Sequence, residues 1–328
     1  MIRALYRTPD GKINEREFVQ DFDLTLPNTH GLLWVDLVAE TSAVCKPILQ
    51  DTFGFHPLAV DDALEESHTP KVDDWSDYLY LVVQAVEPRQ GLNQEVAALE
   101  LDIFLGQNYL VTYQTKAIAA VERVWILCQR DKRHLDQDTN YILYRLIDEI
   151  ASDYIIVADE IDERIDKIED QLFENPEPYL VEHIFALKRD LLFLRRMIAP
   201  QREMVNKLAR GDYAVIAVDA KVYFRDVYDH FVRLYDIIES LRDLVTGALE
   251  TYLSMVNNRM NEIMKTLTII TTLFMPISFL ASYFGMNFFQ PVISMNAWTE
   301  WPMFIVLNLV MILLPISMYL WIRQRMWM

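Results

Sequence analysis

Charge is scarce in the last fifth of this sequence. From residue 266 onward only Glu300, Arg323 and Arg325 are charged, and residues 266–299 carry no charge at all. Basic residues are under-represented elsewhere too. The chain has 30 Lys and Arg against 48 Asp and Glu, a net charge of -18, and residues 1–265 alone carry 28 against 47, or -19. Phosphate backbones require a basic surface, so nucleic acid is excluded as a partner. An acidic surface instead concentrates cations.

Other absences narrow the reading further. There are two cysteines, Cys45 and Cys128, far apart and with no CxxC. This excludes a disulfide framework and predicts two reduced core thiols. No GxxxxGK[ST] phosphate loop is present, so a nucleotide-driven machine is not expected. The six histidines form no HExxH. The spacing His56…His68 beside Asp61, Asp62, Glu65 and Glu66 is a weaker zinc alternative. No enzyme site emerges, and no covalent cofactor is expected. The first residues, "MIRALYRTPDGK", hold no apolar core of a signal peptide.

Two apolar runs are present. Thr266–Phe284 spans 19 residues and Pro302–Ile322 spans 21, neither with a charge. A helix of either length reaches roughly 30 Å, the thickness of a bilayer core. A buried hairpin of a soluble protein would not give two adjacent charge-free runs that both match that length. Trp298, Trp301, Trp321 and Trp327 sit near the ends of the second run, where an aromatic belt belongs. Arg259 and Lys265 precede the first run, Arg323 and Arg325 follow the second, and residues 285–301 hold no Lys or Arg. The positive-inside rule then places both termini in the cytoplasm and the connecting loop outside, in a multi-pass protein of the cell (inner) membrane.

The expected fold is α+β followed by helices. A mixed α/β cytoplasmic domain covers 1–115, with a hairpin from "MIRALYR" and "KINEREF" and strands at 31–37, 77–87, 95–106 and 108–114. Helices are expected over 41–53 and 57–66. A cytoplasmic helical region covers 116–216. Its apolar positions Ile142, Leu146, Ile150, Tyr154, Val157, Ile161, Ile165 and Ile168 predict one helix over 139–174. "NPEP" breaks it and a returning helix covers 179–210. Asp148–Glu174 holds 11 acidic and 2 basic residues, which reads as a solvated or cation-attracting face. A stalk helix is expected over 217–265, continuing without a strong breaker into a pore-lining transmembrane helix over 266–285. An external loop over 286–301, a second transmembrane helix over 302–322 and a cytoplasmic tail over 323–328 complete the chain.

Two membrane helices cannot enclose a pore, so several copies around an axis are required. Asn261, Met264, Thr268, Thr271, Met275, Ser278, Ser282 and Gly285 recur every three or four residues and form a polar, small or thioether stripe. The stripe predicts a pore lining, with close helix packing as the competing reading. At its end, Gly285 is expected to permit a tight turn and Asn287 to offer neutral amide oxygens to an arriving cation. Magnesium dehydrates reluctantly, and amides can accept hydrogen bonds from its waters.

"NEIMKTLTIITTLFMPISFLASYFGMNF" (261–288), ending in Gly-Met-Asn, is similar to the signature of the CorA family of divalent-cation channels, and "FGFHPLAVDDALEESHTPKVDDWSDYLYLVV" (53–83) resembles the family's cytoplasmic domain. The resemblance implies a funnel-shaped homopentamer whose second helix faces membrane lipid. It implies passive transport of divalent metal cations, Mg2+ or else Co2+ and Ni2+, with Mg2+ as substrate and regulator. Gly285, Met286 and Asn287 match the ion entry, and Asn261 a second polar ring. Met264, Leu267 and Met275 match the hydrophobic constriction, and Ser278 stands where threonine is common. Asp62 and Asp226 match carboxylates that sense magnesium between neighbouring subunits. The loop "FQPVISMNAW" lacks the acidic residue common in the family, and the usual basic C-terminus is reduced to "RQRMWM". Proton-coupled zinc transport, as in the family's zinc branch, and a non-conducting protein on the same fold are the alternatives.

Overall fold

The computed structural model describes residues 1–8, 13–17, 31–65, 69–87, 96–131, 138–174, 176–286 and 301–326. They divide into two compact units, Met1–Glu250 and Thr251–Met328.

The first unit is built on a seven-stranded sheet. Its strands are β1 (Ile2–Arg7), β2 (Ile13–Glu17), β3 (Leu32–Val38), β4 (Lys71–Asp74), β5 (Leu79–Glu87), β6 (Ala97–Leu105) and β7 (Tyr109–Gln114), in the spatial order β2-β1-β3-β7-β6-β5-β4. β3 and β7 pair in parallel, with Val35 opposite Val111, and the other pairings are antiparallel. β3 is buried along all seven residues, as a central strand covered on both faces must be. On one face Leu33, Val35 and Leu37 meet Cys45, Leu49, Phe55 and Val60. These come from α1 (Ser42–Pro47), the π-turn Ile48–Thr52, the segment that follows it and α2 (Pro57–Leu64). On the other face Trp34 meets Trp125 edge-on at 4.8 Å. Trp125 lies on α3 (Ala119–Arg130). Both cysteines are buried free thiols, as expected, and burial pushes Cys45 up to about 11 and Cys128 up to about 12.

α4 (Thr139–Glu174) and α5 (Tyr179–Arg210) follow, and every apolar position expected to face inward along α4 is buried. The α5 helix ends at Gly211 in the left-handed conformation, φ 69°, where glycine costs least. Tyr154 of α4 donates its hydroxyl to the Gln84 carbonyl at 2.9 Å, and Gln201 of α5 donates to that same hydroxyl at 3.2 Å. One buried tyrosine therefore ties both helices to β5.

After a short 3-10 turn at Val218–Ala220, α6 runs from Lys221 to Gly285 as one helix of 65 residues, the long helix the sequence predicts. Within the first unit it buries Phe224, Val227, Phe231, Leu234, Ile238, Leu241, Val245 and Ala248. The second unit holds the rest of α6 and α7 (Trp301–Met326). Apolar stretches long enough to cross a membrane lie in Val218–Tyr283 and Ile305–Gln324, with mean hydropathies of 1.6 and 2.3 over their best windows. Pro276 stands inside α6 without ending it, which membrane helices tolerate.

Two details differ from the sequence reading. β4 was not expected, because Lys71-Val-Asp-Asp has the composition of a loop. It pairs on one side with β5 and none of its residues is buried, so hydrogen bonding and not burial fixes it. Gly285 closes α6 without a positive φ, and a Cβ there would meet nothing within 4 Å. The turn expected of Gly285 is therefore not made by its own backbone.

Candidate ion pathway and regulatory carboxylates

In the second unit α6 has two contrasting faces. Ile269, Thr272, Leu273, Pro276, Ile277 and Leu280 are partly covered. Asn261, Met264, Leu267, Thr268, Thr271, Met275, Ser278, Ser282 and Gly285 are exposed. At 3.6 residues per turn, the centres of the two sets lie about 150° apart. α7 has a matching covered stripe at Leu307, Met311, Leu314, Pro315, Met318 and Ile322. Most of the rest of its surface up to Trp321 is apolar, as in a helix with lipid around it.

The exposed stripe has chemistry that composition alone does not convey. Thr268 donates its hydroxyl to the Met264 carbonyl at 2.8 Å, and Thr271 to the Leu267 carbonyl at 2.9 Å. The hydrogens point back along the helix, so the oxygen lone pairs remain as outward acceptors. Among the stripe's larger side chains Met264 is 55% exposed and Met275 66%. A single chain leaves both thioethers without a partner surface. At the end of the helix the Met286 N–H reaches the Tyr283 carbonyl at 3.4 Å. Asn287 lies outside the described residues, as do Trp298 and Trp327.

Asp62 and Asp226 stand in different surroundings. Asp62, in the last turn of α2, is half-exposed and accepts from Lys71 Nζ at 2.5 Å. Lys71 also reaches Asp73 at 2.9 Å and lies over the Tyr80 ring. The adjacent Asp61 pairs with Lys46 at 2.8 Å. Asp226 is exposed on α6 and among the described residues has no ion pair. Sequence reasoning missed Lys71 as a partner, because it lies on the unforeseen β4. Among the described residues no three His, Cys, Asp or Glu side chains of one chain gather as a metal site. The histidine-centred zinc alternative falls only partly within the described residues. His56 caps α2 through Nδ1, which accepts from the Leu58 N–H at 3.2 Å, and its ring stacks on Trp75 at 4.2 Å. His68 and Glu66 lie outside the described residues.

A further network ties α6 to the sheet unit. His230 of α6 contacts Asp148 at 3.1 Å, and Arg145 bridges Asp148 and Glu149 at 3.0 Å each. Arg123 of α3 then joins Glu149 and Asp153 at 2.8 and 2.6 Å. Part of the acidic run on α4 is thus neutralised within the chain.

The protein-family model described as "CorA-like Mg2+ transporter protein" matches residues 29–324, nearly the whole of this arrangement. This chain belongs to the CorA family. The cobalt/magnesium transport protein CorA of Thermotoga maritima is 32% identical over 318 residues, covering 95% of this chain and 89% of that protein. The complete structure of the CorA magnesium transporter from Methanocaldococcus jannaschii superposes with a TM-score of 0.83 at 21% identity, covering 98% and 97% of the two chains. The ZntB cytoplasmic domain from Vibrio parahaemolyticus reaches a TM-score of 0.64 at 13% identity, covering 78% and 98%. At these identities the two structural likenesses show a shared fold. The fold of the first unit thus recurs in a protein titled ZntB. This CorA-family chain is a divalent-cation transporter and a membrane protein with two candidate spans.

Proposed function

We propose that this chain carries divalent metal cations passively across the cell membrane, Mg2+ foremost and Co2+ or Ni2+ after it, through a pore built from five copies. The observation that carries the reading is the exposed polar and thioether stripe of α6, set opposite its partly covered face. A helix whose covered face is occupied by its own chain turns the other face to an axis when copies assemble. In that arrangement Gly285, Met286 and Asn287 form the ion entry. Thr268, Thr271 and Ser278 line the path with neutral oxygens, and Asn261 adds a polar ring beyond them. Met264, Leu267 and Met275 narrow it. Neutral oxygens suit an ion that keeps its waters, since carboxylates would hold it too tightly to release. Both termini and the acidic sheet unit lie in the cytoplasm. The name of the Thermotoga maritima relative, a cobalt/magnesium transport protein, supports the choice of ion.

Flux into liposomes reconstituted with the full chain tests this. Wild type should admit Mg2+ down its gradient, and Asn287→Ala should abolish selective uptake while assembly, judged by size-exclusion chromatography, is unchanged. Wild-type flux from Asn287→Ala would sink the entry ring. Zinc uptake accelerated by an inward proton gradient would turn the reading to proton-coupled zinc transport. No flux of any ion would leave a non-conducting protein on the CorA fold.

A further inference from the structure

A cleft of about 580 Å³ opens between α6 and α7, wholly within the Thr251–Met328 unit. Its lining is graded. Glu262, Lys265 and Arg323 supply charge, Thr266 and Tyr319 supply hydroxyls, and Ile269 and Ile322 supply hydrocarbon. The gradation follows depth. Lys265 directly precedes the charge-free run of α6, and Arg323 directly follows that of α7. Ile269 lies one turn deeper than Lys265, and Tyr319 one turn deeper than Arg323. The two isoleucines are partly covered and the polar side chains exposed, so the cleft has an apolar floor and a polar rim.

That order of charge, hydroxyl and alkyl is the order of headgroup, glycerol and acyl chain in a phospholipid. We propose that the cleft seats an anionic glycerophospholipid whose headgroup carries hydroxyls, as in phosphatidylglycerol. The proposal rests on the membrane-spanning reading but not on ion conduction. The phosphodiester lies between the Lys265 ammonium and the Arg323 guanidinium. A guanidinium fork matches phosphate oxygens, and an ammonium adds a point charge. Both stems lie along hydrocarbon while their heads stay at the interface. Tyr319 sits where amphipathic rings collect at membrane boundaries. Glu262, one turn outward from Thr266, accepts hydrogen bonds from headgroup hydroxyls and repels a second negative charge. Lys265, Arg323 and Glu262 together carry one net positive charge, which complements a lipid with one negative charge and not a zwitterion. Basic pockets between membrane helices are established headgroup sites in general.

Native mass spectrometry of the full-length protein tests the assignment, with phosphatidylglycerol, phosphatidylcholine and inorganic phosphate as probes. Wild type should retain phosphatidylglycerol over phosphatidylcholine by about thirtyfold, the scale of two interfacial cations. Lys265→Gln with Arg323→Gln should erase the preference. The charge-preserving pair Lys265→Arg with Arg323→Lys should keep it, as should Arg259→Gln, which removes a cation outside the cleft. Equal retention of the two lipids by wild type would overturn the proposal even if the glutamine pair failed to assemble. So would an equal loss in Arg259→Gln, since surface charge alone would then explain binding. Displacement of the lipid by excess inorganic phosphate would make this a free-anion site and overturn the lipid assignment. Retention of no lipid, with Lys265 protected from amine labelling in the assembled protein, would mean that a second copy fills the cleft. Binding is read without transport, so failure here is distinguishable from failure of the ion pathway.

Discussion

Thr268 and Thr271 each direct a hydroxyl hydrogen to a carbonyl one turn back and leave oxygen lone pairs facing outward. Such an oxygen accepts from the water shell of a cation without adding net charge. Asp102 of β6 shows the opposite use of a carboxyl group. It is 2% exposed, accepts the Tyr80 hydroxyl at 2.6 Å, and burial raises it well above the usual carboxylate range. Its proton is held more tightly in the folded than in the unfolded chain. Stability from this group is therefore greatest below the unfolded value, about 3.9, and falls as pH rises from there through the raised folded value. Asp102→Asn keeps an oxygen acceptor for Tyr80 and removes the charge. Its thermal midpoint should exceed that of wild type at pH 8, and the gap should close toward pH 4. Equal loss of stability at both pH values would show that charge burial is not the dominant cost. Legibility at this scale was uneven. The buried thiols and the α4 core positions could be read from apolar context. The Asp62–Lys71 pair could not, because it joins a helix end to an edge strand whose composition marks it as a loop.

Elements bounded by strong local signals were legible. Asn-Pro-Glu-Pro closes α4 and Gly211 closes α5, because proline and glycine restrict or free the backbone wherever they stand. β4 lacked such a signal. α6 was legible as a length, and the structure adds its phase. Residues 224, 227, 231, 234, 238, 241, 245 and 248 are buried at alternating steps of three and four. The same spacing, carried on, reaches the partly covered Ile269, Leu273, Pro276 and Leu280. Asn261, Met264, Thr268, Thr271, Met275 and Ser278 fall on the opposite positions of that heptad. Pro276 thus lies on the covered side, away from the proposed path. Met264 and Met275 lie on the open side, where large apolar side chains around an axis block ions by excluding water. Met264→Ser or Met275→Ser should raise leak current in planar bilayers at high magnesium, the condition expected to close wild type. Unchanged conductance in both variants would support plain packing of the stripe.

At the scale of the molecule the acidic excess becomes a constraint on assembly. Residues 1–265 carry -19, so copies brought around an axis repel unless cations intervene. Asp226 has no ion pair among the described residues, whereas Asp62 already has Lys71. A magnesium ion shared between Asp62 of one copy and Asp226 of the next must therefore displace or share with an ammonium. It shifts the closed state only by its differential affinity. Rising magnesium should protect wild-type cytoplasmic regions from protease, while the double variant Asp62→Asn, Asp226→Asn stays sensitive. Superimposable protection curves would place the regulatory ion elsewhere. Sites between copies were beyond what one chain could reveal, since their geometry depends on a symmetry that no sequence position encodes. The divided architecture also has a consequence for biosynthesis. β3 stays unpaired on one side until β7 exists, more than 70 residues later, yet the whole first unit ends at Glu250, before the charge-free segment begins. At about 5–20 residues per second, a ribosome needs roughly 12–50 s to reach that point. Translating chains should accordingly present a folded acidic body to the cytoplasm before any membrane segment is available for insertion. Limited proteolysis of ribosome-bound chains stalled near residue 300 should release a protected fragment ending close to residue 250.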